Sequence, residues 1–162
     1  MSQSQPAKRL GELLVGRRLI TQHQLDQALA QQRASREFLG AILIRMGLIN
    51  PDVLLTTLSE QFGLPHESVS PERVDWNVAK QFPASALADG KCFPIRADAE
   101  SITVVIANPL DAWALSTIEK AAGFRKVNAV LILDTELQGI LQAYRRRSFQ
   151  TIEEQFNDHG RP

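Results

Sequence analysis

The sequence has few of the residues that form disulfide or metal-bound frameworks. Cysteine occurs once, which excludes an internal disulfide and a cysteine-rich zinc site. Cys92 lies in an apolar run and is predicted to be a small core residue. The histidines, at positions 23, 66 and 159, share no ligand spacing, so we expect them to be solvent-exposed and to bind no metal.

The chain also has no net charge, because 18 lysine and arginine residues balance 18 aspartate and glutamate residues. This balance provides no overall attraction to nucleic acid or to an anionic membrane. No apolar run approaches the roughly 20 residues that cross a bilayer, and the first residues lack a signal-peptide pattern. We therefore expect a cytoplasmic protein that reaches a membrane only indirectly, through a partner.

Catalytic motifs are missing as well. A phosphate-binding Walker loop needs Gly-x-x-x-x-Gly-Lys-Ser/Thr, and Gly90-Lys91-Cys92 lacks both the earlier glycine and the hydroxyl group. The carboxylates are scattered in a way typical of solvated surface charge. The chain is therefore not expected to be an enzyme, although its 162 residues are enough to bury a core.

The sequence does contain an internal duplication with a period of 29 residues. Eight residues of the first copy coincide with identical residues of the second: Leu10, Gly11, Leu14, Leu19, Ile20, Leu25, Leu29 and Gln32 fall on Leu39, Gly40, Leu43, Leu48, Ile49, Leu54, Leu58 and Gln61. Shared helical composition does not explain this many identities. Residues 8–63 are therefore predicted to be a tandem repeat.

Each copy is predicted to form a helical hairpin. Apolar residues recur at helical spacing until a break near Gly16 in the first copy and at Gly47 in the second. The second helix of each copy is preceded by capping residues, Thr21 with Gln24 and Asn50 with Pro51. Arg18 stands where the second copy has Gly47, which leaves open a difference in shape between the two turns.

The rest of the chain is predicted to be a looser connector followed by a small α/β subdomain, together residues 64–147. The connector, residues 64–89, contains three prolines and one short helix near 75–81. Strands are expected at 93–96, 101–106 and 127–133, and helices at 112–122 and from 135 to about 146. The fold class is α+β, with the tandem hairpins packed with the α/β subdomain. Residues 148–162 are predicted to be a flexible tail.

The repeat carries the motif of a known family. Its residues are Arg9-Leu10-Gly11, Leu14-Val15, Leu19-Ile20, Leu25, Leu29 and Gln32, then a short spacer and the second copy. They resemble the MshEN domain, the N-terminal domain of type II secretion and type IV pilus assembly ATPases. The same domain occurs on membrane glycosyltransferases related to the phage N4 adsorption protein. The segment 107–111, Ala-Asn-Pro-Leu-Asp, is similar to the family's second subdomain.

The resemblance implies a ligand and its contact residues. Well-preserved members bind the bacterial second messenger cyclic di-GMP, one half per repeat, and act as regulatory modules for a secretion or pilus ATPase or a glycosyltransferase. The expected binding residues are Arg9, Leu10, Gly11, Leu14, Val15, Leu25, Leu29 and Gln32, with Phe38, Leu39, Gly40, Leu43, Ile44, Leu54, Leu58 and Gln61. The two glycines would permit close approach of a backbone or a ligand, and Arg9 could bind phosphate or guanine.

A second function also fits the sequence. Phe38 occupies the position of Arg9 in the second copy, where the family has a basic residue, so it could stack on a base or take no part in binding. Degenerate family members are nucleotide-free docking modules that bind the platform protein of a type II secretion system. Arg9 and Gln32 favour the sensor, and Phe38 favours docking. DNA binding is not expected, because neither second helix has a basic face.

Overall fold

A computed structural model describes residues 9–87, 90–110 and 112–158. The chain divides into two compact units between His66 and Glu67. The first unit is helical, and the second combines helices with a three-stranded sheet, so the predicted α+β class is confirmed. Within the described ranges, no helix is long and apolar enough to span a membrane.

The described part of the first unit contains four helices, α1 (Leu10–Gly16), α2 (Gln22–Ser35), α3 (Leu39–Arg45) and α4 (Pro51–Phe62). Helices α1 and α3 begin and end at equivalent positions of the 29-residue repeat, and so do the starts of α2 and α4. Helix α1 packs against α2 and α4, and α2 packs against α3. The duplication seen in the sequence is therefore also present in the backbone.

The predicted helix caps are confirmed in both copies. The Thr21 hydroxyl accepts from the backbone N–H of Gln24 at 3.2 Å, and the Gln24 side chain accepts from the Thr21 N–H at 2.8 Å. In the second copy, Asn50 Oδ1 accepts from the Val53 N–H at 2.8 Å, and Pro51 is the first helical residue. These bonds satisfy N–H groups that the first helical turn leaves unpaired, so they fix where α2 and α4 begin.

The turns after α1 and α3 have the same shape. Arg18 has a φ of 57° and Gly47 a φ of 67°, so both lie in the left-handed region. Their N–H groups donate to the equivalent carbonyls of Val15 and Ile44, each at 2.9 Å. The difference in sequence therefore does not produce a difference in backbone, because Arg18 adopts the conformation that the glycine adopts at lower cost.

The paired helices of each copy meet at a glycine. A Cβ atom on Gly11 would lie 2.5 Å from Cδ1 of Leu25, and one on Gly40 would lie 2.5 Å from Cδ1 of Leu54. The missing side chains therefore leave the space that the two leucines fill. Around these contacts lies the core of the first unit, formed by Leu14, Ile20, Leu25, Ala28, Ile42, Leu43 and Ile49.

The segment predicted as a loose connector belongs to the core of the second unit. It contains a 3-10 turn (Pro71–Arg73) and the short helices α5 (Trp76–Ala79) and α6 (Ala84–Leu87). Its buried residues are Val69, Val74, Val78, Ala79, Phe82, Ala86 and Leu87. The short helix predicted near 75–81 is present as α5, but the segment is not loose. The sequence did not indicate this burial because the apolar residues here have no regular period, and they are buried by contacts with distant parts of the chain.

The sheet of the second unit has the order β1 (Cys92–Ala97), β2 (Ser101–Ile106), β3 (Lys126–Leu131). Strands β1 and β2 are antiparallel, whereas β2 and β3 are parallel and are connected through α7 (Ala112–Ala122). The Asp98 carboxylate in the β1–β2 turn accepts from the N–H groups of Glu100 and Ser101 at 2.8 and 2.7 Å, and these bonds lower the pKa of Asp98. The observed elements match the predicted strands within two residues and the predicted helix 112–122 at both ends.

Helices and the connector cover this sheet. Helices α5 and α8 (Asp134–Asp158) pack against β1, and α7 packs against β3. Val104, Val105 and Ile106 are buried in succession on the central strand. Successive strand residues point to opposite faces, so both faces of the sheet are covered at this end.

The last helix is longer than predicted. Helix α8 continues to Asp158, beyond the end expected near Arg146 and into the predicted tail. No glycine or proline follows until Gly160, and the Ser148 hydroxyl donates back to the Tyr144 carbonyl at 3.0 Å, which leaves the helix intact. The arginines at 145–147 therefore lie within the helix rather than at its end, so they do not complement the dipole of its C-terminus.

An aromatic cluster joins three segments of the second unit. The Phe93 ring meets Trp76 and Tyr144 edge to face, with centroids 6.0 and 5.2 Å away. The Arg147 guanidinium carbon lies 4.8 Å from the Trp76 ring centroid. Edge-to-face ring contacts therefore join strand β1 to α5 and α8, and a cation–π contact joins α8 to α5.

The glycine–leucine contacts predict unequal costs for two equivalent substitutions. Gly11→Ala places a methyl group against Leu25, which is buried, and should destabilise the protein by about 1–2 kcal/mol. Gly40→Ala should cost less, because Leu54 is only partly buried and can move. Gly16→Ala is the control, since nothing lies within 4 Å of its Cβ position. Chemical denaturation that finds Gly11→Ala as stable as Gly16→Ala would contradict this packing role.

The left-handed turns predict a gain in stability from one substitution. Arg18→Gly should stabilise the protein by about 0.5–1 kcal/mol, because glycine adopts a positive φ without steric cost. Gly47→Ala should have the opposite effect, for the same reason. Arg18→Ala is the control for loss of the side chain. Alanine keeps the steric cost of the positive φ, so this variant should melt close to wild type. Thermal denaturation in which Arg18→Gly and Arg18→Ala behave alike would show that backbone strain is absent.

Candidate functional site

The first residues of the two repeat motifs occupy equivalent backbone positions. Arg9 precedes α1 with φ −64° and ψ 149°, and Phe38 precedes α3 with φ −68° and ψ 140°. Their carbonyls accept from the N–H groups of Leu13 and Ile42 at 3.1 and 3.2 Å. Both side chains are exposed, and the exposed fraction of Phe38 is 55%. The structure thus places one cation and one aromatic ring at matching positions of the two repeats.

The apolar residues of the motif differ in how much surface they offer. Three of them, Leu14, Leu25 and Leu43, are buried in the core of the first unit, together with Gly11 and Gly40. The partly buried ones that pack on that core are Leu10, Val15, Leu29, Leu39, Ile44 and Leu54, and Leu58 is also partly buried. Of these apolar residues, only the second group has surface that a ligand could contact, whereas the buried group belongs to the core.

The two glutamines of the motif are both half-buried but have different partners. Gln32 Nε2 donates to the backbone carbonyl of Glu37 at 3.2 Å, so it holds the end of α2 to the spacer between the copies. Gln61 Oε1 is buried and has no hydrogen-bond partner among the described residues. A buried carbonyl oxygen without a donor is uncommon in proteins.

Arg45 does not replace the cation that is missing at Phe38. Its guanidinium donates to both carboxylate oxygens of Glu37, at 2.5 and 2.6 Å, and to Gln31 at 3.1 Å. The hydrogen bonds from Arg45 lower the pKa of the Glu37 carboxyl, and the same pairing raises the pKa of Arg45. Arg45, the first basic residue after Phe38, is therefore already paired with Glu37 and Gln31. Sequence reasoning missed this pairing, which has no helical spacing to indicate it.

The described part of the chain also bears on the metal and cysteine predictions. It contains no group of three or more histidine, cysteine or acidic side chains that could hold a metal ion. Cys92 is buried, with its thiol 3.5 Å from the Ala114 carbonyl, so it is the small core residue that the sequence predicted. His23 and His66 are exposed as predicted, while His159 lies outside the described residues.

Comparison with known proteins identifies related sequences. The profile of the MshEN domain family matches residues 62–151, which begin at the last residue of α4. Bacteriophage adsorption protein B of Escherichia coli K12 is 30% identical over 139 residues, or 85% of this chain and 18% of that protein. Type IV pilus assembly ATPase PilB of Myxococcus xanthus is 24% identical over 152 residues, or 94% of this chain and 27% of that protein. The chain thus spans less than a third of either relative.

Two solved structures share the fold. A structure described as MshE with cdg (cyclic di-GMP) matches with a TM-score of 0.72 and 24% identity, covering 85% of this chain and 99% of that one. The N-terminal domain of XpsE matches with a TM-score of 0.60 and 22% identity, covering 88% of this chain and 97% of that one. Both alignments extend well beyond the residues matched by the family profile. Because that profile covers more than half of its residues, the chain belongs to the MshEN domain family.

Proposed function

We propose that this protein binds cyclic di-GMP through its two repeats and acts as a non-catalytic regulatory module. Membership of the MshEN family supports this, as does the fold shared with MshE, whose structure contains that ligand. The relatives suggest that the module communicates with a pilus or secretion ATPase or with a glycosyltransferase.

The observation that carries the proposal is the repetition of the backbone itself. Equivalent residues precede α1 and α3, equivalent glycines contact equivalent leucines, and equivalent turns follow. Cyclic di-GMP consists of two identical halves, each with one guanine and one phosphate. Two similar half-sites suit such a ligand better than they suit one without internal symmetry.

The proposed contacts follow from the chemistry of the exposed groups. Arg9 can donate to a phosphate or stack its guanidinium on a guanine face. The partly buried leucines of the motif provide an apolar surface for a flat base. Gln61 Oε1 is buried and has no partner in the described protein, so the half-buried side chain would have to turn outward for this oxygen to accept from a guanine N–H group.

Calorimetric titration tests the ligand directly. The chain should bind one cyclic di-GMP with micromolar or tighter affinity, and Arg9→Ala should weaken binding about ten- to a hundredfold, the cost of about 1.5–3 kcal/mol for a charge-assisted hydrogen bond. Arg73→Ala is the charge-matched control, because Arg73 is an exposed arginine of the second unit. Absence of heat at high micromolar ligand would refute the sensor function. Equal weakening by both substitutions would refute the role of Arg9.

Phe38 gives a separate test of the two half-sites. Phe38→Arg should strengthen binding and make it more sensitive to salt, because it places a second cation beside a dianionic ligand. Phe38→Ala should weaken binding by about 1–3 kcal/mol if the ring stacks on a base. More than half of the ring is exposed, so the melting temperature should change little. Loss of binding in Phe38→Arg would show that the second repeat does not bind the ligand as proposed.

The alternative is a docking module without a nucleotide. Phe38 and Leu19 are the large apolar side chains exposed in the described part of the first unit, at 55% and 44%. Exposed apolar residues are typical of protein contact surfaces. A protein that gives no heat with cyclic di-GMP, but loses binding to a secretion-system platform protein on Phe38→Ala, would have this function.

A further inference from the structure

Phe124 is the most exposed large apolar side chain in the described residues. It lies in the turn between α7 and β3, directly after Gly123, which ends α7 with a φ of 70°. An apolar residue at this position commonly folds back onto the last turn of the helix. The Phe124 ring makes no such contact, because it is fully exposed. The backbone at this turn therefore presents an aromatic side chain directly to the surroundings.

Basic residues surround Phe124. Lys120 lies in the last turn of α7, and Arg125 and Lys126 follow Phe124, so residues 119–126 contain three basic residues and one acidic residue in a chain with no net charge. Lys120 and Lys126 are exposed. Arg125, the residue after Phe124, donates to Gln81 Oε1 at 2.8 Å and to the Ala122 carbonyl at 3.5 Å.

Neighbouring elements do not reverse this local charge. Lys80 is exposed and precedes Gln81, the partner of Arg125, so it adds a fourth cation. The acidic side chains nearby are Glu119 on α7 and two residues of the β1–β2 turn, Asp98 and Glu100. The backbone carbonyl of Glu100 accepts from the Lys126 N–H at 2.8 Å. Four cations against three carboxylates leave an excess of one positive charge around Phe124.

We propose that the turn at residues 120–126, which we call the Phe124 turn, inserts into the surface of an anionic lipid bilayer. An aromatic ring is favoured at the boundary between headgroups and acyl chains, and the surrounding cations are attracted to anionic headgroups. A single ring with a few cations gives weak, reversible attachment. The protein would then contact a membrane directly, whereas its overall charge predicts contact only through a partner.

Vesicle cosedimentation with the full chain tests this attachment. The protein should sediment with phosphatidylcholine vesicles that contain about one third phosphatidylglycerol, and much less with phosphatidylcholine alone. Phe124→Ser should lower the partition coefficient about tenfold, and so should the double variant Lys120→Gln/Lys126→Gln. Raising the salt concentration should weaken wild-type binding through screening. Phe124→Trp should retain binding and show a blue shift of emission, beyond any wild-type change, only with anionic vesicles.

Two controls separate the Phe124 turn from general effects. Leu110→Ser removes another exposed apolar side chain, and Arg33→Gln/Arg73→Gln removes the same total charge from elsewhere. Both should sediment like wild type, and all variants should keep the wild-type melting temperature and affinity for cyclic di-GMP. No wild-type binding to anionic vesicles, or equal binding by Phe124→Ser, would overturn the proposal. So would self-association that Phe124→Ser abolishes without any vesicle binding, because the ring would then contact a second copy.

Discussion

The first unit depends on the absence of a side chain at two positions. Gly11 and Gly40 lie where Leu25 and Leu54 fill the space that a Cβ atom would need, and neither glycine has a positive φ. Their role is therefore close packing rather than backbone freedom. Since Arg9 and Phe38 each lie two residues before one of these glycines, the geometry of the proposed half-sites depends on the same two contacts.

Much of the first unit could be predicted from sequence because its determinants are local. The capping residues Thr21 and Asn50 act within three residues, and the period of the repeat defines which helices are equivalent. The connector and the length of α8 could not be predicted in this way. Val74 and Val78 are buried by distant contacts, and polar helix formers after Arg147 resemble an unstructured tail when only their composition is considered.

For the candidate site, the sequence identifies which residues share a motif but not how each is exposed. Leu14 and Leu29 are equivalent in pattern, yet the first is fully buried and the second retains surface. The difference between Gln32 and Gln61 depends on the spacer, because only Gln32 reaches the Glu37 carbonyl. The pairing of Arg45 with Glu37 likewise needs the turn between α2 and α3, which no periodicity describes.

The parallel pairing of β2 with β3 has a consequence for the order of folding. Strand β3 can pair with β2 only after the chain has passed through α7. The N–H of Glu67 also donates to the carbonyl of Leu131, which is far along the chain. In the first unit, each hairpin closes over a short length of chain. Contacts between residues close in sequence form faster than contacts between distant residues, so the helical repeat should fold early during synthesis. The sheet can form only after β3 has been synthesised.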